Sequence, residues 1–442
     1  MQGSVIVKVL PTAAIALAAA GAHGAGFQLL EQNGSGVANS FAGSAAVAEN
    51  ASTIYFNPAG MTRLSGTRQI SGGLDVVRIG FEFGDDRGST LPALTSTGTG
   101  DGGDAGGIAL VPNAYVSMKL SDKLAVGIGL GAPFGLKTEY DDDFIGRFLA
   151  INSEITTYNI NPSLAYQVNP MVSLGFGVSY QKIEAKLSNA VNFSGLLAQG
   201  GVGVFPGLEG VGKVKADDFS WGWNVGVMIQ PSDSTRVGLS YRSKIKHELS
   251  GDVTFERPDS GNPLVNGAMA AGAPNGPVEA DVEVPDTFVI SAMQKLSTDW
   301  TMLGDISWTG WSSLESLEIF RTGGALLSRE TLEWRDTWRL ALGANYRYSD
   351  DVTLKFGVAY DQSPVETDHR LARLPDANRL WLSIGSQYRV GSALVVDVGY
   401  AHLFINDPKI DADGDNAAAN GNLVGSYKAS VDILGVQMTY NF

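Results

Sequence analysis

Val172-Ser173-Leu174-Gly175-Phe176-Gly177-Val178-Ser179-Tyr180-Gln181 is the stretch that decides the fold. Apolar side chains stand at every second position, and small or polar ones fill the places between. A strand turns successive side chains to opposite faces, so this segment presents one continuous apolar face ending in an aromatic. Leu124, Val126, Ile128 and Leu130 alternate with Ala125, Gly127 and Gly129 in the same way. So do Leu354, Phe356, Val358 and Tyr360 with Lys355, Gly357 and Ala359. The two faces nearly cancel: mean hydropathy is +0.02 although 44% of residues are hydrophobic. After residue 24 no uncharged apolar stretch reaches the roughly 18 residues of a membrane helix. A chain of this kind crosses a membrane only as a closed barrel, because hydrocarbon offers no partner to unpaired backbone groups.

Connection lengths give the strand number. Short turns sit at Ser121-Asp122, Asn169-Pro170, Pro231-Ser232-Asp233-Ser234, Ser297-Thr298-Asp299, Ser349-Asp350-Asp351 and Val390-Gly391-Ser392. Longer polar or Gly-rich segments lie near residues 87–106, 134–151, 189–212, 252–277, 316–328, 363–376 and 406–425. Six turns and seven loops join fourteen strands, which predicts an all-β, antiparallel transmembrane barrel. Short turns at one end and long loops at the other is the asymmetry of an outer-membrane barrel. The last strand carries Leu434, Val436, Met438, Tyr440 and Phe442 on one face. Its terminal aromatic resembles the signal read by the barrel-assembly machinery.

The N-terminus reads as an export signal. Lys8 precedes the apolar run Val9 to Ala20, and Ala22-His23-Gly24 offers small residues for cleavage before Ala25. Residues 1–24 are therefore assigned to a signal peptide, 25–66 to a hatch and 67–442 to the barrel. The hatch is inferred from composition. Gly34-Ser35-Gly36, Ala42-Gly43-Ser44-Ala45-Ala46 and Asn57-Pro58-Ala59-Gly60 are small and lack the two-residue period, which suits close packing inside something else. There is no Cys, so disulfides and thiolate metal sites are excluded. A net charge of −15 argues against nucleic-acid partners.

These residues resemble the outer-membrane long-chain fatty acid transporters of the FadL type, over essentially the whole mature chain. The likeness starts at Ala25-Gly26-Phe27-Gln28-Leu29 and continues through Ser52 to Gly60 with its Asn57-Pro58-Ala59 motif. It extends to Gly222-Trp223-Asn224-Val225-Gly226, Tyr241-Arg242-Ser243, Val284-Pro285-Asp286, Trp338-Arg339-Leu340-Ala341-Leu342-Gly343, Asp361-Gln362-Ser363-Pro364-Val365 and Leu374-Pro375-Asp376. The resemblance implies a plugged 14-stranded barrel that takes up long-chain fatty acids or similar hydrophobic compounds by passive, ligand-gated diffusion. Release would be lateral, at a kink in the third strand. Some branches of the family carry aromatic hydrocarbons.

Candidate site residues follow. Loop Asn189 to Gly212 carries Val191, Phe193, Leu196, Leu197, Val202, Val204, Phe205 and Leu208, either as an outward capture surface or as a small core under a cap. Pro133, in Gly131-Ala132-Pro133-Phe134, either opens the wall or simply ends the third strand. Asn57, Pro58 and Ala59 would form a rigid hatch turn that gates the path. Phe27 is placed to meet the ligand's tail. The resemblance suggests a headgroup contact at Lys182, read as lying on the polar face. Arg242, Arg339 and Arg347 are further strand-borne cations, each open to the alternative of a charge network. Leu314-Glu315-Ser316-Leu317-Glu318 is acidic where a basic residue was expected, which leaves a neutral hydrocarbon open.

Other classes find little support. His247, His369 and His402 sit in no HExxH pattern, and no GxSxG occurs, so no catalytic residue is assigned. The stretch Asp411 to Asn416 lacks the Gly at the sixth position of a calcium loop and the Glu at the twelfth, where Asn422 stands, and reads as an acidic surface loop; no metal and no cofactor are expected. A general porin for small polar solutes and an adhesive barrel remain as alternatives. The expected surroundings are outer-membrane lipid and lipopolysaccharide, with the barrel as a monomer.

Overall fold

The computed structural model describes residues 25–442, except 97, 99 and 413–416. The expected signal peptide, residues 1–24, lies outside the described residues, as does most of the acidic loop Asp411 to Asn416. Fourteen consecutive antiparallel strands form the wall. The first is Arg68–Asp85, the second Gly107–Lys119, and the third is Leu124–Gly131 resuming at Gly135–Glu139. The fourth to sixth are Asn152–Gln167, Val172–Asn192 and Glu209–Ser232. The seventh to tenth each come in two pieces: Thr235–Arg242 with Ile245–Glu256, Gly276–Val284 with Thr287–Lys295, Trp300–Thr309 with Ser316–Arg321, and Leu326–Thr331 with Thr337–Arg347. The eleventh and twelfth are Val352–Asp361 and Arg379–Val390. Leu394–Ile405 with Lys409–Ala412 is the thirteenth and Leu423–Asn441 the fourteenth. The first and last strands pair from Gln69 opposite Asn441 to Asp85 opposite Gly425, which closes the barrel. Closure leaves no sheet edge in the hydrocarbon.

The distribution of side chains is inside out. Leu174 and Phe176 are about half exposed, while Ser173, Ser179 and Gln181 between them are buried. In the last strand Leu434, Val436, Met438 and Tyr440 face outward and Gln437 and Thr439 inward. A soluble protein would show the reverse; lipid is the solvent of this outer face. Tyr180, Phe219 and Trp221 cluster on it as a piece of aromatic girdle. No helix among the described residues is long and apolar enough to cross a membrane.

The six short turns fall where the sequence puts them, and six of the seven long segments hold long connections, although wall pieces Gly135–Glu139 and Lys409–Ala412 fall inside two of them. Residues 316–328 differ. They form Ser316–Arg321 and the start of Leu326–Thr331, a hairpin joined by four residues that prolongs two strands outward. Gly323 and Gly324 made this segment look like a loose loop; they supply its tight turn instead.

Residues 25–66 lie largely inside the barrel as three one-turn helices, Gly34–Val37, Ser44–Val47 and Thr53–Phe56, followed by the 3-10 turn Pro58–Arg63. Glycines on the inner wall let this segment approach backbone to backbone. A Cβ at Gly226 would overlap the Asn57 side chain, and one at Gly399 would meet the backbone of Ala38. Polar contacts complete the fit. Asp305 accepts from Gly43 N at 2.8 Å and Ser44 Oγ at 2.7 Å. Buried Lys355 bridges Glu49 of the hatch and Asp397 of the wall, both at 2.9 Å. Asn57 Nδ2 donates to Ala45 O at 2.7 Å and Val227 O at 3.1 Å, while its Oδ1 accepts from Ala59 N.

Asn57→Ala should therefore loosen the hatch without unfolding the wall. Losing these buried bonds costs about 1–3 kcal/mol. Amides of residues 25–64 should then exchange on the order of tenfold faster or more in hydrogen-exchange measurements, with wall amides unchanged. Equal exchange would show that Asn57 does not hold the hatch.

Candidate functional site: a break in the wall and the route to it

The third strand leaves the ladder at Ala132-Pro133-Phe134. Below the break, Ala114 to Lys119 of the second strand pair with Leu130 to Ala125. Above it, Ile108 to Asn113 pair with the first strand alone. The gap is partly filled from inside. Leu29 N donates to Pro133 O at 2.8 Å, Gly135 N donates to Phe27 O at 2.9 Å, and Gln28 bridges Phe134 as a strand partner would. Gln32 Nε2 donates to Ala132 O at 2.8 Å, and Tyr115 Oη donates to Gln32 O at 2.7 Å. Thr157 Oγ1 serves both backbone groups of Phe134. Pro133 suits this place because it has no N–H to leave unpaired. On the outer side the break faces an apolar groove of about 740 Å³, lined by Leu74, Ala114, Leu130, Ile160 and Met438 among others.

A second ladder defect provides a contrast. Pairing of the sixth and seventh strands stops between Asp217 opposite Ser250 and Asn224 opposite Arg242. Here the wall stitches itself: Ser243 Oγ accepts from Trp223 N at 2.9 Å, and Ser220 Oγ donates to Lys246 O at 2.6 Å. Of these two defects, among the described residues, the third-strand break alone takes backbone–backbone bonds from the inner segment.

Phe27 is nearly fully buried at the centre of an aromatic cage. Its ring lies 5.0 Å from Trp311, 5.7 Å from Phe134 and 5.9 Å from Trp334. Toward the loops the lumen opens into a cavity of about 650 Å³, walled by Leu187, Val191, Val214, Val253, Leu317 and Ile319 with Arg373 beside them. On the other side lies a cavity of only about 70 Å³, lined by Leu30, Phe41, Tyr55, Phe56, Arg242 and Arg339 among others. Ligand pockets start near roughly 300 Å³, so this cavity as it stands is too small for a long chain. Ser40 and Phe41 in this segment hold left-handed backbone at φ 48° and 55°. Such strain persists only where surroundings enforce it, and here Arg339 donates to Ser40 O at 2.6 Å.

The cations of the lumen fall into two kinds. Arg339 lies 4.0 Å from Asp361 and over the Trp381 ring, and Arg379 pairs with Asp376, so both belong to charge networks. Arg242 differs. It stacks 4.1 Å over Tyr55 and donates to Ser179 Oγ at 3.0 Å and Tyr55 O at 2.9 Å. No carboxylate ion pair with Arg242 occurs among the described residues. A partly buried guanidinium without a counter-ion, facing a cavity, is fit to take an anionic headgroup.

Two site expectations need correction. Lys182 has the parity of Leu174, Phe176 and Tyr180, not of Gln181, and so lies on the outer face. There it pairs with Glu184 and Asp217 beside the Phe219 ring and cannot meet a lumenal headgroup. Arg347 is likewise exposed, paired with Asp350 at a turn. The loop 189–212 divides. Phe193 and Leu197, on helix Phe193–Gln199, are buried against Val265 and Met269 of helix Pro263–Gly272, with Phe205 and Leu208 alongside. Leu196 and Val204 stay exposed, with Leu264 nearby in sequence to that second helix's start. Trp311, Trp334 and Gln32 also belong to this site, and no sequence pattern marks them. The two Trp residues lie between strand pieces where no alternation marks their direction.

Residues 15–442 match the family described as outer membrane protein transport protein (OMPP1/FadL/TodX). Outer membrane protein P1 of Haemophilus influenzae is 31% identical over 460 residues, covering 97% of this chain and 98% of that protein. The long-chain fatty acid transport protein of Escherichia coli is 29% identical over 443 residues, 95% of each. The crystal structure of a Pseudomonas aeruginosa FadL homologue matches with TM-score 0.85 at 26% identity, over 94% of this chain and 99% of that one. Closed wall, inner segment and likeness along the whole length agree, and the chain is an outer-membrane β-barrel belonging to the FadL family of transport proteins.

Proposed function

We propose that this protein carries long-chain carboxylic acids across the outer membrane, passively, releasing them sideways through the break at Ala132 to Phe134. The observation that carries the reading is Arg242, a partly buried cation with no carboxylate partner among the described residues, on the route between the mouth cavity and a gap in the wall. Exposed Leu196 and Val204 offer a first apolar contact outside the lipopolysaccharide layer. The tail then enters the mouth cavity and displaces Phe27 from the aromatic cage. Because Phe27 to Leu29 are the same residues that fill the wall, moving Phe27 opens the lateral path as it admits the ligand. The carboxylate is held at Arg242 meanwhile. The name of the Escherichia coli relative points to the same ligand class. This is the chemistry of a carrier, with no bond made or broken in the ligand's chain, and it needs no cofactor.

Uptake of labelled oleate by Gram-negative cells lacking their own transporter tests the reading directly. Restored uptake is expected. An assembled barrel that takes up toluene but not oleate would instead favour neutral hydrocarbons. Arg242→Ala should weaken apparent oleate affinity at least tenfold, since a hydrogen bond to a charged group is worth about 1.5–3 kcal/mol. Oleyl alcohol, which has no charge to pair, should be little affected.

The latch can be locked. The native chain has no Cys, and Gln28 and Phe134 face each other as bridge partners. Antiparallel partners have Cα separations of about 4.5–5.5 Å, within reach of a disulfide. The double substitution Gln28→Cys with Phe134→Cys should block oleate uptake when oxidised and recover it on reduction. Equal uptake in both states would exclude release past the latch.

A further inference from the structure

We infer that Glu31 is the proton donor that converts a departing carboxylate into the neutral acid before it crosses the wall, an inference that rests on the carboxylic-acid reading above. A carboxylate is expensive in hydrocarbon. A free carboxyl group ionises near about pH 4.3, so at neutral pH the ligand reaches the gap charged. A lateral exit needs an acid that is still protonated near neutrality and stands between the headgroup site and the gap.

Glu31 stands in the chain between two residues of that route. Its neighbour Leu30 lines the cavity with Arg242, and its neighbour Gln32 holds the Ala132 carbonyl of the break. The Glu31 side chain is 1% exposed and its Oε2 has no hydrogen-bond partner among the described residues. Burial pushes its pKa up to about 7, against the opposing pull of Arg379 and Arg339. The other charged or titratable groups that act on it or feel it are Asp361, Tyr55 of the hatch and Asp75 of the first strand. Asp75 is fully buried, and its Oδ1 also lacks a partner. Asn113, on the stretch of the second strand that pairs with the first strand but not with the third, donates from Nδ2 to Asp75 Oδ2 at 3.4 Å. Two acids therefore stand at the exit and one unpaired cation at the headgroup site, an order that favours leaving as the neutral acid.

In the step, the O–H bond of Glu31 breaks and an O–H bond forms on the ligand carboxylate, leaving the negative charge on Glu31. The neutral acid passes the gap, and Glu31 regains a proton from lumenal water. One proton is consumed per molecule released.

The test is oleate and oleyl alcohol uptake by wild type and Glu31→Gln, in transporter-deficient cells with the barrel shown to be assembled, between pH 5.5 and 8. Wild-type oleate uptake should fall as pH rises through about 7, where Glu31 loses its proton. Glu31→Gln should slow oleate uptake about tenfold at pH 7.5, with the deficit shrinking as pH falls and oleate protonates unaided. Alcohol uptake should not change. Oleate uptake by the variant equal to wild type would overturn the inference while leaving the transport reading intact. Equal loss of oleate and alcohol would also overturn it, as damage to packing. Wild type failing to move oleate at any pH would remove the transport reading and the inference together.

Discussion

Hydrocarbon contains no water, and from that the rest of this structure follows. Every peptide N–H and C=O at membrane depth needs a partner within the protein, and an unpaired one costs several kcal/mol. Fourteen strands closed by the pairing of first and last satisfy the requirement almost everywhere. Where the third strand departs from the ladder, the deficit is met by Phe27 and Leu29 of the inner segment and by the Thr157 hydroxyl. The wall at that place is complete only while the N-terminal segment stays docked. The proposed lateral exit uses this one pairing rule, since a displaced segment would leave the break in the wall unfilled.

The same rule makes the interior polar and tightly filled. Strand alternation sends one face to lipid, so the other must be coherent with a hatch rather than with a conventional apolar core. Glycines on the inner wall and Ala, Ser and Asn on the hatch bring two backbones into contact. Buried ion pairs such as Lys355 with Glu49 and Asp397 position the hatch. Their desolvation offsets much of their attraction, so their value lies in fixing one docked arrangement rather than in bulk stability.

Along the route, chemistry changes in order. The mouth joins apolar side chains to Arg329, Glu330 and Arg373, the cage is aromatic, and the small cavity beyond it presents Arg242. On the proposed route an amphipathic ligand would meet partners for its tail first and its headgroup later. Residues here serve twice: Phe27 sits in the cage and its carbonyl helps fill the break, and Tyr55 belongs to the inner segment and is the platform for Arg242.

The sequence by itself determined the barrel, its strand number and the lipid-facing positions, because a period of two and the lengths of turns are local properties of the chain. It also marked Pro133, since a proline has few allowed places in a ladder, and Arg242, through the strand that bears it. Lys182 was misplaced by one residue of parity, and one residue inverts a strand's face. Other features were decided only by the tertiary structure. That Phe193 and Leu197 are covered depends on helix Pro263–Gly272, distant in the chain. That Trp311 and Trp334 converge on Phe27 depends on how strand ends fold inward. Glu31 stands in a stretch of small residues with no motif around it. Its burial, its unpartnered oxygen and its place beside the break exist only once the segment is enclosed by the wall, because desolvation is a property of the surroundings and not of the residue.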